Sequence, residues 1–225
     1  YLKIINDYNN IMLYALLINL GWIIAIGLFI QLGFVVGGEI WRLFKLPNHK
    51  SIDKIIIHTV LGWGAVGYLI WLIGLTGLNL IYSIYVITFL IFTLLVYRFK
   101  DLKLFQKKKI TKLSYIQISL VVLCILFISI SLIGALAPER EFDATWYHLP
   151  EAKWFLQNSS THLIYPSILG TSSLAPKLPE ILFVWLMAFK NSEILPHLLQ
   201  WVSALGMGLA SYSITRRFTN RTNAL

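Results

Sequence analysis

Long apolar runs separated by short polar segments dominate this chain, and their lengths predict membrane-spanning α-helices. A helix needs about 20 apolar residues in a row to cross a bilayer. Five runs come close to or exceed that length: Ile11–Val36, Ile55–Leu75, Leu80–Tyr97, Leu113–Ala137 and Ile194–Ile214. In the first run, the spacing Gly33-x-x-x-Gly37 allows another helix to approach closely. The pattern therefore predicts an all-α fold, a polytopic transmembrane helical bundle.

The composition agrees with this interpretation. Hydrophobic residues make up 57% of the chain, charged residues only 13%, and the mean hydropathy is +0.71. A soluble domain usually carries about 25% charged residues. The single cysteine, Cys124, lies inside an apolar run, so the sequence offers neither an intrachain disulfide nor a thiolate metal site.

The net charge of +9 comes from basic residues in the short connections between the apolar runs. Basic residues in short loops are typical of membrane proteins, so we expect no nucleic-acid partner. The most basic segment lies between the third and fourth runs, with seven positive side chains against one negative: Arg98, Lys100, Lys103, Lys107, Lys108, Lys109 and Lys112 against Asp101. We therefore expect this segment to be cytoplasmic and the loop of about 138–177 to be extracytoplasmic, with the protein in a bacterial inner membrane.

A polar and aromatic island at Ala137–Ser159 interrupts the apolar pattern. Its seven ionisable side chains are Glu139, Arg140, Glu141, Asp143, His148, Glu151 and Lys153. Phe142, Trp146 and Leu149 follow the spacing i, i+4, i+7, which predicts a short amphipathic helix beside the membrane. Pro150 predicts a kink in that helix or the start of a second one. We expect Glu151 to be a surface residue.

Two interpretations of the island's charges follow from the residues alone. Asp143 and Tyr147 share a helix face directed away from the Phe142/Trp146 stripe. A carboxylate fixed there can bind a divalent cation or accept a proton from a hydroxyl group. The other interpretation is that these charges only solvate a surface helix, and that His148 is a structural hydrogen-bonding residue instead of a ligand to phosphate or metal.

The segment EFDATWYHLPEAKWFL at 141–156 resembles the first external loop of the GT-C superfamily of glycosyltransferases. It is most similar to the bacterial branch related to protein O-mannosyltransferases and aminoarabinose transferases. Later features follow in the same order: Tyr165-Pro166 in a loop, Pro179-Glu180 opening a span, His197 in the next span and Arg216-Arg217 at its end. The resemblance covers roughly residues 113–221.

This resemblance implies a membrane enzyme that transfers a sugar from a polyprenyl-phosphate donor to a lipid, glycan or protein acceptor outside the cytoplasm. Asp143 matches the superfamily's catalytic aspartate, which implies a base or a ligand to the divalent cation that some members use. Many members have an acidic pair here, but Ala144 follows Asp143, so Glu141 or Glu139 would supply the second carboxylate. Substrate contacts are expected from Tyr147, His148, Lys153 and Glu180. Whether a metal is needed stays open.

The alternative function is that of a non-enzymatic transporter or lipid flippase subunit. Transporters place polar or broken-helix features near the middle of the membrane. Here the apolar runs hold only scattered polar residues, whereas polar density concentrates at one interface. The sequence therefore favours interfacial chemistry on a lipid-linked substrate.

We expect two parts in the chain: residues 1–112, a three-span N-terminal extension, and residues 113–225, the start of a GT-C-like membrane domain. The chain begins with Tyr1 instead of Met, and we expect a piece of a longer protein that is inactive alone. The apolar stretch Leu178–Phe189 is short for a crossing. If only the following run crosses, Arg216, Arg217 and Arg221 lie inside, as the positive-inside rule favours. The resemblance instead favours a crossing by both segments, and we expect both to cross.

Overall fold

The described part of the chain is helical apart from short connections. The computed structural model describes residues 2–47, 51–98, 114–138, 142, 144–162 and 178–218. In these ranges seven α-helices and one π-helical turn occur, and no strand: α1 Leu2–Leu43, α2 Ser51–Gly74, α3 Leu80–Arg98, α4 Tyr115–Ala135, the turn Ala144–His148, α5 Leu149–Asn158, α6 Leu178–Met187 and α7 Ile194–Phe218. The predicted all-α class is confirmed.

Five of these helices are long and apolar enough to cross a bilayer, so the chain is an integral membrane protein. The candidate spans are Asn10–Leu43, Ile52–Gly74, Leu80–Arg98, Tyr115–Ala135 and Ile194–Phe218. Each contains most of one predicted apolar run. Several helices extend past their run because polar residues such as Arg98 and Arg217 continue the backbone hydrogen-bonding pattern beyond the apolar stretch.

α1 and α2 pack closely through glycines. A Cβ atom at Gly37 would overlap the carbonyl oxygen of His58, and one at Gly62 would overlap the carbonyl oxygen of Gly33. The backbones of the two helices therefore touch where any side chain would keep them apart. The close approach that the Gly33-x-x-x-Gly37 spacing allows is confirmed.

Three arginines mark one end of the bundle, which we call the arginine end. Arg98 at the end of α3 bonds Glu39 near the end of α1 at 2.9 Å, and Arg42 reaches the same carboxylate at 3.1 Å. Arg217 in the last turn of α7 bonds Asp53 in the first turn of α2 at 2.9 Å. α1, α3 and α7 therefore end here, and α2 begins here.

α6 is not among the helices long and apolar enough to cross a bilayer, so the structure does not support the expectation that both Leu178–Phe189 and the following run cross. α6 has 10 residues and spans about 15 Å, half of a hydrocarbon core. α4 lies beside α7, because the Trp201 indole N–H donates to the Ser131 hydroxyl at 3.0 Å, near the start of α7 and the end of α4. α7 therefore begins where α4 ends and returns to the arginine end.

α6 lies across the bundle and not along it. A Cβ atom at Gly67 of α2 would meet the Leu178 side chain at the start of α6, and the Trp185 indole N–H near its end donates to the Thr88 hydroxyl of α3 at 2.8 Å. Gly67 lies about 11 Å from the end of α2, and Thr88 about 12 Å from the start of α3. Both ends of α6 thus lie at a similar depth, in the half of the bundle away from the arginines.

α4 is exposed over most of its length. None of the residues of Tyr115–Ala135 is buried, although this is the most apolar of the candidate spans. A helix that is apolar on all sides and lacks protein neighbours on most of them is suited to contact with lipid. The division into 1–112 and 113–225 stays a prediction, and α6 and α7 pack against helices of the first part.

Candidate functional site

The candidate site lies at the end of the bundle opposite the arginines, which we call the carboxylate end because it carries Glu151 and Glu180. The chain enters it after α4 through an aromatic pair. The rings of Phe142 and Trp146 stack with centroids 5.1 Å apart, and both side chains are exposed. Exposed aromatic rings at a helix end suit the membrane interface. Phe142 and Trp146 thus share one exposed face, as predicted, whereas Leu149, expected to continue it, is buried.

A wide helical turn places the motif residues. Residues Ala144–His148 form a π-helical turn. This conformation is rare overall, and where it occurs it is often at a functional site. α5 follows directly, with Pro150 in its first turn, where a missing N–H costs nothing. Pro150 thus starts a second short helix, one of the two outcomes that its position predicts. Leu149 and Phe155 turn inward and are buried.

The end of α5 is fastened to α2. Ser159 closes the helix in the left-handed conformation, with φ of 48°. Two residues later, the Thr161 hydroxyl donates to the carbonyl oxygen of Trp71 at 2.7 Å. The Thr161 backbone N–H donates to the carbonyl oxygen of Gly74 at 3.2 Å. Because Thr161 is itself buried, α5 has a fixed position on the last turn of α2.

His148 and Glu180 form the central contact of the site. Nδ1 of His148 lies 2.6 Å from Oε1 of Glu180, which belongs to the first turn of α6. The Glu180 side chain is only 1% exposed, whereas 26% of the His148 side chain is exposed. The imidazole ring also packs on Tyr147, with centroids 4.0 Å apart, and meets Phe183 edge-on. A buried carboxylate thus holds a partly exposed imidazole.

Glu180 keeps one oxygen without a hydrogen bond among the described residues. Oε2 is buried and has no partner in this part of the chain, although Oε1 is bonded to His148. Carboxylates are rarely this deeply buried, and an ionisable group within an apolar membrane segment often serves function. The surroundings of Glu180 on α6 are apolar, since Ile181, Phe183 and Val184 are all buried.

Lys153 lies one turn further along α5 and is paired. Its ammonium nitrogen is 2.6 Å from Oε1 of Glu193, and each side chain is 36% exposed. The ion pair connects α5 to the segment before α7. In the same segment, the ammonium group of Lys190 lies 4.7 Å from the ring centroid of Trp22 in α1. The positive charge of Lys153 is therefore balanced by a carboxylate of the protein.

The structure brings several of the predicted site residues together. Tyr147, His148 and Glu180 are in one cluster, and Lys153 is on the adjoining helix. The two residues predicted to be catalytic, Asp143 and Glu141, lie outside the described residues. Their roles, and those of the predicted substrate contacts, stay predictions.

The expectation that Glu151 is a surface residue is wrong. Its side chain is completely buried on the inner side of α5. The sequence contains a signal for this: Glu151 stands four positions before the buried Phe155, so both belong to one helix face. The hydrogen bond between His148 and Glu180 carried no comparable signal, because no local spacing connects positions this far apart.

In the part of the chain that the structure describes, no group of three or more His, Cys, Asp and Glu side chains is placed to hold a metal ion. Comparison of the chain with protein-family models, with curated proteins and with solved structures finds no match.

Proposed function

We propose that this chain belongs to a membrane glycosyltransferase that moves a sugar from a polyprenyl-phosphate donor to an extracytoplasmic acceptor, as members of the GT-C superfamily do. One observation carries the proposal. His148 belongs to the loop motif of the resemblance and Glu180 to the later Pro-Glu motif, and the two share a hydrogen bond of 2.6 Å across 32 positions of sequence. The resemblance thus rests on two segments that meet in one cluster.

The position of the cluster supports a lipid-linked substrate. Such a donor keeps its prenyl chain in the bilayer and its sugar phosphate in water, so its enzyme must present polar groups near the membrane surface. His148 follows the exposed Phe142/Trp146 stack directly in the chain, and the buried Glu180 holds it from the apolar side. The polar pair of His148 and Glu180 therefore lies next to the aromatic rings that suit the membrane interface.

The sidedness of the membrane is part of the same proposal. The arginine end would face the cytoplasm, together with the basic segment at 98–112, as the positive-inside rule favours. Because α7 returns to the arginine end, Arg216 and Arg217 would lie on that side as well. The carboxylate end would then face outward, where the acceptor is.

In the proposed reaction, an acceptor hydroxyl oxygen attacks the anomeric carbon of the donor sugar. The new carbon–oxygen bond forms while the bond between the anomeric carbon and the phosphate oxygen breaks, and the polyprenyl phosphate leaves with the electron pair. Asp143 takes the proton of the hydroxyl group as general base. Glu141 would supply the second carboxylate, and Tyr147 and Lys153 would line the path of the sugar or acceptor.

The test is glycosyl transfer by the full-length protein in membranes. Asp143→Asn and Asp143→Ala should reduce the rate by at least about 100-fold, the range of general-base contributions. Gln157→Ala is the matched control, because Gln157 is an exposed polar residue of the neighbouring α5. Undiminished transfer by both Asp143 variants, at normal membrane levels, would contradict the proposal.

A lipid flippase is the second candidate, and one observation favours it. α6 is a helix too short to cross, and it carries the buried Glu180, a combination that transporters use at their binding sites. Reconstituted protein that moves a fluorescent polyprenyl-phosphate lipid across liposomes, with no sugar transfer in membranes and no effect of Asp143→Asn, would favour this function.

A further inference from the structure

The hydrogen bond between His148 and Glu180 fixes which ring nitrogen is available. Nδ1 of His148 is engaged by Oε1 of Glu180, and when that carboxylate is ionised it only accepts hydrogen bonds, so Nδ1 is then the donor. Nε2 then remains for a second partner. Among the described residues it forms no hydrogen bond, and it is not one of the buried polar atoms that lack a partner. Nε2 is therefore accessible to a ligand.

A phosphate at Nε2 requires a hydrogen-bond donor there. An imidazolium ring donates from both nitrogens, and the Glu180 carboxylate, 2.6 Å from Nδ1, is placed to pair with that form. In that form Nε2 presents an N–H group with a share of positive charge.

Lys153 is less suited to meet a phosphate, although the sequence suggests it. Its ammonium group is bound to Glu193 at 2.6 Å, so a phosphate would have to compete with a carboxylate of the protein. His148 has no such competitor on Nε2. The remaining N–H donors of Lys153 lie on the same nitrogen that Glu193 binds, whereas Glu180 and a phosphate would meet different nitrogens of the His148 ring.

We infer that His148 binds the phosphate of the lipid-linked donor through Nε2, and that Glu180 is a positioning residue that orients the imidazole. The inference deepens the proposed function and rests on it. Glu180, at 1% exposure, acts through His148 instead of touching the substrate itself.

The reaction explains why an N–H group at this position matters. The phosphate of the lipid-linked sugar carries one negative charge as a diester, and it gains a second when its bond to the anomeric carbon breaks. The acceptor proton goes to Asp143, so the charge of reactants and products balances. An N–H group already oriented toward the leaving oxygen stabilises the charge as it develops, and it keeps its own proton.

Binding of the free lipid product tests the inference without catalysis. Full-length protein in nanodiscs is titrated with undecaprenyl phosphate and with undecaprenol, which has the same chain and no phosphate. We expect the wild type to prefer the phosphate, and His148→Leu to lose at least about tenfold of that preference, as expected for a charge-assisted hydrogen bond. His148→Gln should keep part of it, because its amide N–H can stand near the position of Nε2–H. Affinity for undecaprenol should not change.

The role of Glu180 is tested by a double-mutant cycle. Glu180→Gln should lower the phosphate preference severalfold, and the double variant with His148→Leu should bind no worse than His148→Leu alone. Additive losses would show that Glu180 does not act through His148 and would overturn its assignment. Gln157→Ala serves as the control that leaves both affinities unchanged.

A spectroscopic measurement decides the matter if the Glu180 variant does not fold. In wild-type protein labelled with ¹⁵N-histidine, the His148 signals are assigned by their loss in His148→Gln. We expect Nε2 to shift on addition of undecaprenyl phosphate but not of undecaprenol. No shift in protein that prefers the phosphate would overturn the inference and leave the proposed function standing. If the wild type shows no preference and Asp143→Asn retains transfer, the proposed function itself is wrong.

Discussion

Arg217 of α7 donates a hydrogen bond to Asp53 of α2 at 2.9 Å, and this contact sets the direction of the last helix. Asp53 is buried and lies in the first turn of α2, and the Ser213 hydroxyl donates to the same carboxylate. Two side chains one turn apart on α7 thus converge on one acidic residue. The end of α7 must lie on the same side of the membrane as the start of α2.

Cysteine labelling should confirm this topology. In a Cys124→Ser background, Phe218→Cys and Leu46→Cys should react with a membrane-impermeant maleimide from the same side, because both exposed positions lie at the arginine end. Gln157→Cys should react only from the opposite side. Labelling of Phe218→Cys together with Gln157→Cys would mean that α6 crosses after all.

Arg217→Gln should destabilise the protein by about 1–3 kcal/mol, because it removes a charge-assisted hydrogen bond from the buried Asp53 carboxylate, to which Ser213 still donates. Asp53 is only 8% exposed in this pair. Arg42→Gln is the matched control: Arg42 is similarly exposed, but its partner Glu39 is 30% exposed and keeps Arg98. Thermal unfolding of the purified protein measures both, and equal effects would contradict the argument.

The fold could be predicted because apolar run length is a local property. The five spans and the start of a second short helix beside Pro150 follow from residues within a few positions of each other. The path of α6 could not be predicted this way. Its 10 residues are too few to cross, and long-range contacts such as those of Trp185 and Arg217 are needed to show where the chain goes next.

The sequence predicts which residues belong to the candidate site better than it predicts how they contact one another. The motif includes His148 and Lys153, but the sequence could not show that Glu180 holds one and Glu193 the other. Those pairings depend on how α6 and α7 pack against α5. The prediction that Glu151 is a surface residue is wrong because it rests on the polar segment around Glu151 and ignores its helical spacing to the buried Phe155.

Gly37→Ala should weaken the packing of α1 on α2 by about 1–3 kcal/mol, the usual cost of overpacking. The added methyl group would overlap the carbonyl of His58, which belongs to the backbone and cannot rotate away. Gly27→Ala on the same helix is the control, since a Cβ there meets nothing within 4 Å. We expect a lower melting temperature for the first variant only, and an unchanged value would show that α1 and α2 can separate without cost.

Thr88→Val should loosen α6, the helix that carries Glu180. The buried indole N–H of Trp185 donates to the Thr88 hydroxyl at 2.8 Å, and valine would leave this donor without an acceptor. The expected cost is about 1–3 kcal/mol in thermal unfolding. Thr93→Val is the control, because Thr93 bonds only the carbonyl of its own helix four residues back and is exposed. Adding Trp185→Phe to Thr88→Val should recover part of the loss, since a hydrogen bond removed on both sides leaves no buried group unsatisfied. If the double variant loses the sum of both single effects, the indole ring holds α6 by packing alone.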